Sequence, residues 1–207
     1  MTIRHRKYSS YDKYIEHQGR KLDIALRKKI KKFMPEYFSK NVKSFKKRIN
    51  IFKEYVKDGK TLCLGARNGE EVAAFIELGF KDAIGIDINP GKNNRYVIKG
   101  DFHKMDFMDE SFDTIYSNCI DHVWDLRILS KEIARVLKKD SYLILEIDHL
   151  LNKDEKGRKE LLKKSSKYES ITYGGLEDVK KEFKEFKFVE KMISANSHFL
   201  AAVFKKI

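Results

Sequence analysis

From residue 60 to residue 147 the chain repeats one pattern: a short apolar or β-branched run, a turn rich in Gly, Asn or Asp, then a stretch of helical periodicity. The apolar runs fall at 61–64, 83–86, 96–98, 114–116 and 142–147, with helical stretches near 70–78 and 126–137. Parallel neighbours need a crossover long enough to hold a helix, and strands covered on both faces are apolar throughout. The pattern therefore predicts an α/β fold with a doubly wound, Rossmann-like, mostly parallel sheet. Two further strand-like runs, 186–192 and 198–205, are joined by the turn-prone Ser194-Ala195-Asn196-Ser197, which predicts a hairpin and an antiparallel final strand.

Ahead of the sheet, apolar residues from 11 to 57 recur at helical spacing, and Pro35 is a natural break between two helices. A chain of 207 residues buries one sizeable core. The expected organisation is a helical N-terminal extension over residues 1–58 and a Rossmann-like domain over 59–207. Residues 153–167 are charged enough to form an exposed helix or a loop.

The net charge of +13 is unevenly placed: residues 1–60 hold 19 Lys/Arg against 6 Asp/Glu, and the remainder holds 25 of each. Two readings stand for the basic extension. One is a footprint for RNA or another polyanion, an anionic glycan or a membrane surface; the other is a pair of lysine-rich, solvated helix faces. No apolar run approaches the roughly 20 residues of a membrane helix, and MTIRHRKYSS has no apolar core of a signal peptide, so a cytoplasmic protein is expected. Cys63 and Cys119 are too few for a disulfide framework and match no metal-ligand spacing.

Ligands of doubly wound sheets bind beyond the carboxyl ends of the strands, where strand order reverses. The chemistry-bearing residues lie in those positions. After the first strand comes LGARNGEE, where Gly65 and Gly69 permit a tight turn against the next helix N-terminus. The second strand ends in GIDINP, with Asp87 placed to accept from ribose hydroxyls and Ile88 beside it. The third is followed by KGDFHKMDF, with Asp101 and Phe102 placed against an adenine edge, and the fourth by SNCIDHVWD. The spacing G-x-x-x-G argues against the dinucleotide fingerprint G-x-G-x-x-G.

In this order and spacing the chain resembles the class I S-adenosylmethionine-dependent methyltransferases, and most closely their type 11 branch. The resemblance covers about residues 60–150 and includes EIARVLK, with Lys139-Asp140 where that branch usually has a Pro-Gly-Gly turn. The combination LGARxGxE, GIDxxP, GDFH and SNxxDH is similar to a subgroup of these enzymes with no established acceptor. The resemblance implies S-adenosylmethionine as cofactor. It puts the methionine end at Gly65, Ala66, Arg67 and Gly69, the ribose at Asp87 and Ile88, and adenine at Asp101 and Phe102, with Asn118 near the reacting methyl group.

Two positions depart from that family. Cys63 stands where an acid is usual, so Glu71 or Glu70 is the replacement candidate for the methionine amino group; a carboxylate there also suits the helix dipole with no ligand. Arg67 stands where glycine is usual, either to fork onto the methionine carboxylate or to fill a wider turn. In the loop after the fourth strand, His122 is the candidate base, with Asp121 to orient it and Asn118 beside it. The alternative for His122 is a merely hydrogen-bonded loop histidine. His103 is a second candidate, and Trp124 walls the acceptor site or belongs to the core. The expected activity is methyl transfer to an unidentified small molecule, glycan or RNA. The alternative is a catalytically silent domain that binds the cofactor or a partner.

Overall fold

The computed structural model describes residues 3–148, 169–193 and 199–207. A seven-stranded sheet is formed by β2 (Thr61–Leu64), β3 (Ala83–Asp87), β4 (Val97–Lys99), β5 (Phe112–Ser117), β6 (Leu137–Asp148), β8 (Phe186–Ile193) and β9 (Phe199–Lys206). Their order is β4-β3-β2-β5-β6-β9-β8, with all pairings from β4 to β6 parallel and β9 antiparallel to both neighbours. This is the expected doubly wound α/β sheet with an antiparallel final strand. The order reverses between β2 and β5, which places the switch point at Gly65 and Asn118. The proposed turn at 194–197 and the charged stretch 153–167 lie outside the described residues.

Side-chain alternation divides the interior in two. Leu62, Leu64, Ile115, Leu143, Leu145 and Ala202 face one core, under α4 (Leu126–Val136) and α5 (Leu176–Glu182). Cys63, Tyr116, Ile144, Ala201 and Val203 face the other, under α2 (Phe38–Ile49) and α3 (Glu70–Glu77). The strands are apolar on both faces for that reason. It also divides the two free thiols: Cys63 and Cys119 belong to different cores. Asp140, within β6, takes the left-handed conformation at φ +60°.

The extension forms α1 (Tyr11–Arg27) and α2, separated by two short 3-10 turns around Pro35. Ser10 caps α1 by accepting from the Lys13 backbone N–H. A short pairing of β1 (Arg4–His5) with β7 (Ile171–Thr172), not visible in the sequence pattern, ties the N-terminus to the segment before α5. No helix among the described residues is long and apolar enough to cross a membrane.

α2 is docked by a buried ion pair. The Arg48 guanidinium lies 2.7 Å from Glu146 on β6 and donates to the Tyr116 hydroxyl at 3.2 Å. Burial raises the Glu146 carboxyl despite that cation, so desolvation outweighs attraction at the acid. Removing one partner should therefore cost far more than removing both. Arg48→Met should lower unfolding free energy by about 3–5 kcal/mol, and Arg48→Met/Glu146→Met should recover most of that loss. Urea denaturation of the three proteins checks it; equal stability of the single and double variants would count against the pair as the anchor.

Candidate active site

The turn after β2 is built around two glycines. Gly65 has φ +67° and Gly69 φ +87°, and a Cβ at either would collide, at Gly65 with Cys119 Sγ and at Gly69 with Tyr96 Cβ, 2.6 Å away. Arg67 also has φ +42°, a left-handed conformation that costs an L-residue about 1–2 kcal/mol. Backbone bonds from Gly65 N–H to Ile86 O (2.8 Å) and from Gly69 N–H to Ala66 O (2.7 Å) hold the turn against β3. Asp87, at the end of β3, completes it: its oxygens accept from Arg67 N–H at 3.2 Å and from Asn89 N–H at 2.8 Å. Burial raises the Asp87 carboxyl, opposed by the Arg67 guanidinium and these backbone donors.

α1 lies across the carboxyl ends of the strands and contributes polar side chains at helical spacing. The Tyr11 hydroxyl donates to Asp101 Oδ2, which His103 also approaches through Nδ1, 3.0 Å from Oδ1. Gln18 donates to Ser170 Oγ at 2.8 Å, and Asn89 Nδ2 donates to Gly19 O at 2.6 Å. Lys21 Nζ and His122 Nε2 share a bond of 2.6 Å. Asp121 reaches the same nitrogen of His122 only at 3.6 Å, beyond hydrogen-bond length. His103 Nε2 accepts from Trp124 N–H at 3.1 Å, the tautomer with its proton on Nδ1, so this histidine joins two loops and α1. Trp124 packs among Tyr8, Tyr11 and Tyr14, with centroids 5.5–5.7 Å away, and belongs to the α1 contact.

Two cavities meet at this switch point. The smaller has a volume of about 20 Å³, enough for about one water, and is lined by Tyr14, Gln18, Asp87, Ile88 and Phe102. Tyr14 is fully buried, and its hydroxyl has no hydrogen-bond partner among the described residues. The larger, about 370 Å³, is lined on one side by Ala66, Asn68, Glu71 and Asn118 and on the other by Lys32 and Arg48. Gly65, Arg67, Cys119 and His122 line both. Of the residues singled out in the sequence, Gly69 caps α3 behind the turn, while Asp101 and Asp121 stand outside both walls.

Burial sets the site's electrostatics. The Lys21 amine is lowered to about 7, chiefly by desolvation and next by the Arg67 charge. The Glu71 carboxyl is pushed up to about 8, again chiefly by desolvation. The Cys119 thiol is raised to about 12 by burial and is no nucleophile at neutral pH. Asp101 moves the other way: burial alone would raise it, but hydrogen bonds from His103 and Tyr11 outweigh burial and hold it low. Sequence reasoning missed Tyr11, Tyr14, Gln18, Lys21, Lys32 and Arg48. The signal was present for α1, since residues 11, 14, 18 and 21 fall on one helical stripe where Gln and Lys interrupt an apolar face.

Residues 62–145 match the family model described as a methyltransferase domain. Among solved structures, the chain is similar to a Thermotoga maritima protein described as a SAM-dependent methyltransferase and possible histamine N-methyltransferase. The identity is 20%, the TM-score 0.64, and the match covers 94% of this chain and 100% of that one. It is also similar to a SAM-dependent methyltransferase from Archaeoglobus fulgidus (18% identity, TM-score 0.60, covering 80% and 94%). A third, from Methanosarcina mazei, is 19% identical with TM-score 0.56, covering 76% and 97%. No curated protein matches. These likenesses show the fold, the Rossmann-like methyltransferase arrangement with its antiparallel final strand.

Glu71 yields a pH prediction. Its folded value, near 8, lies above the ordinary 4.5, so the fold holds the proton and stability falls as pH rises from about 4.5 through 8. Glu71→Gln has no proton to lose. Denaturation at pH 5 and pH 8 should show the parent losing more stability across that interval than Glu71→Gln; equal losses would contradict the buried, protonated carboxyl.

Proposed function

We propose that the chain is an S-adenosylmethionine-dependent methyltransferase whose donor and acceptor compartments are the two cavities that meet at Gly65, Arg67, Cys119 and His122. That junction is the observation that carries the reading. The residues around the smaller cavity fit the donor: a buried carboxylate at Asp87, apolar Ile88 and Phe102, and a buried tyrosine hydroxyl with no partner. Asp87 and Ile88 would hold the ribose, and Asp101 with Phe102 the adenine. The Gly65–Gly69 turn with Ala66 and Arg67 would hold the methionine end, with Glu71 and Asn118 at its flank. When bound, the cofactor supplies a methyl group already activated on a sulfonium. Holding an acceptor in line with it contributes on the order of 7–11 kcal/mol by itself.

The remaining task for the protein is the acceptor's proton. His122 and Lys21 share one hydrogen bond at the junction, and an amine that titrates near 7 can hold or release a proton under ordinary conditions. Asp121 Oδ2 lies 3.6 Å from His122 Nε2 at the same junction. Admission of an adenosyl group requires α1 to shift, because the smaller cavity holds about one water and Tyr11 occupies Asp101. That closure also favours the second reading, a catalytically silent domain. The acceptor is read as a small molecule, since the larger cavity is bounded by α2 and the turn after β2. Histamine, named for the Thermotoga maritima protein, carries a cationic amine, which suits poorly a wall formed by Lys21, Lys32, Arg48 and Arg67. An RNA or another polyanion would instead use the outward cations of residues 1–58.

The test is calorimetric titration with S-adenosylhomocysteine, with NAD as the control. Binding of the homocysteine compound alone, weakened at least about tenfold by Asp87→Ala, is expected, a difference of about 1.4 kcal/mol. Unchanged affinity in Asp87→Ala would remove the ribose assignment, and no binding to folded protein would leave the silent reading in its place.

A further inference from the structure

The larger cavity holds more cationic side chains than methyl donation requires. In the proposed reading, Arg67 and the Gly65–Gly69 turn serve the methionine carboxylate. Lys32 and Arg48 come from the extension and line the same space without a task there. At about 370 Å³ the cavity falls within the range of roughly 300–1,000 Å³ that encloses small organic ligands.

Arg48 is held as a preformed anion receptor. Its Nη2 donates to the Tyr116 hydroxyl and lies 2.7 Å from Glu146, so two groups fix its direction. The guanidinium carbon sits 4.1 Å from the Phe45 ring centroid and 5.4 Å from that of Phe199, a cation flanked by two aromatic rings. Its Nε–H is buried with no hydrogen-bond partner among the described residues. A buried donor left without an acceptor is destabilising, and an incoming acceptor oxygen would satisfy it. Lys32 extends from the 3-10 turn before α2, its Nζ 5.1 Å from the Phe33 centroid.

The acids offset only part of those charges: Glu146 pairs with Arg48 from outside the cavity wall, while among the described residues Lys32 and Arg67 have no such partner in the wall. Glu70 is engaged, accepting at Oε1 from the Asn41 and Asn68 amides at 3.1 and 3.2 Å. Glu71 keeps its proton below about pH 8. Phe33, Phe45 and Phe199 supply the flat apolar surface of the same cavity.

On this basis, and resting on the methyltransferase reading above, we propose that the methyl acceptor is a small planar carboxylate. It binds with its charge toward Lys32 and Arg48 and its apolar body against Phe33, Phe45 and Phe199. Arginine suits the carboxylate because its donors lie in a rigid plane, and the rings suit a planar body of similar thickness. Its nucleophile then points toward the junction where His122 and Lys21 meet.

Benzoate is the probe, with benzamide as its neutral counterpart of nearly equal shape. The full chain, saturated with S-adenosylhomocysteine, is titrated with each by calorimetry. Benzoate should bind with Kd below about 1 mM and benzamide at least about tenfold more weakly. Lys32→Met, a change at an exposed position that leaves folding intact, should weaken benzoate at least about fivefold. Equal affinity for benzamide, or no benzoate binding to the loaded protein, overturns the proposal. So does displacement of benzoate by S-adenosylhomocysteine, since the cations would then serve the methionine tail. If the homocysteine compound does not bind, the donor reading fails separately, and benzoate against benzamide on the bare protein still decides the anion site.

Discussion

Removal of water from the carboxyl ends of the parallel strands is the constraint on which the rest of this structure depends. A doubly wound sheet leaves those ends open, with backbone donors, strand-terminal carboxylates and loop side chains facing solvent. Here α1 is laid across them and anchored at separate loops by Tyr11 to Asp101, Gln18 to Ser170, Gly19 to Asn89 and Lys21 to His122. Charged groups buried at these ends change character, Lys21 on α1 itself and Glu71 in the cavity walled by α2. Lys21 is lowered and Glu71 raised, both first by desolvation.

The same constraint explains why the turn after β2 tolerates an arginine at a left-handed position. Arg67 N–H is bonded by Asp87, its carbonyl accepts from Asn94 at 2.8 Å, and its guanidinium lies 5.5 Å from the Phe33 centroid. The surrounding contacts over-determine the backbone, which is how strained residues persist at ligand sites. Cys119 fills the space a side chain at Gly65 would need, so the turn and the loop after β5 can close only with glycine there. Fold and site are thus one packing problem at the switch point.

Much of this was legible in the chain. The strands announced themselves because both faces are buried, and their order of appearance with crossover helices implied a parallel sheet. Gly65, Asp87, Ile88, Phe102, Asn118 and His122, which line the two cavities, were singled out because position at or just past a strand end is a local property. Trp124 was ambiguous between pocket wall and core until its rings of contact, Tyr8, Tyr11 and Tyr14, were known. Asp101 was expected against an adenine edge, whereas Tyr11, 90 positions earlier, occupies one of its oxygens.

The amino-acid sequence alone determined the sheet, its antiparallel last strand and the identities of the residues at the strand ends, because periodicity and turn chemistry act over a few residues. Only tertiary structure decided that α1 and α2 roof the site, that Cys63 and Cys119 face different cores, and that Arg48 turns inward beside Phe45 and Phe199. Helical spacing specifies which face of a helix is buried but carries no information about what covers it. That is settled by contacts between residues far apart in the chain, through burial and pairing that no local pattern encodes.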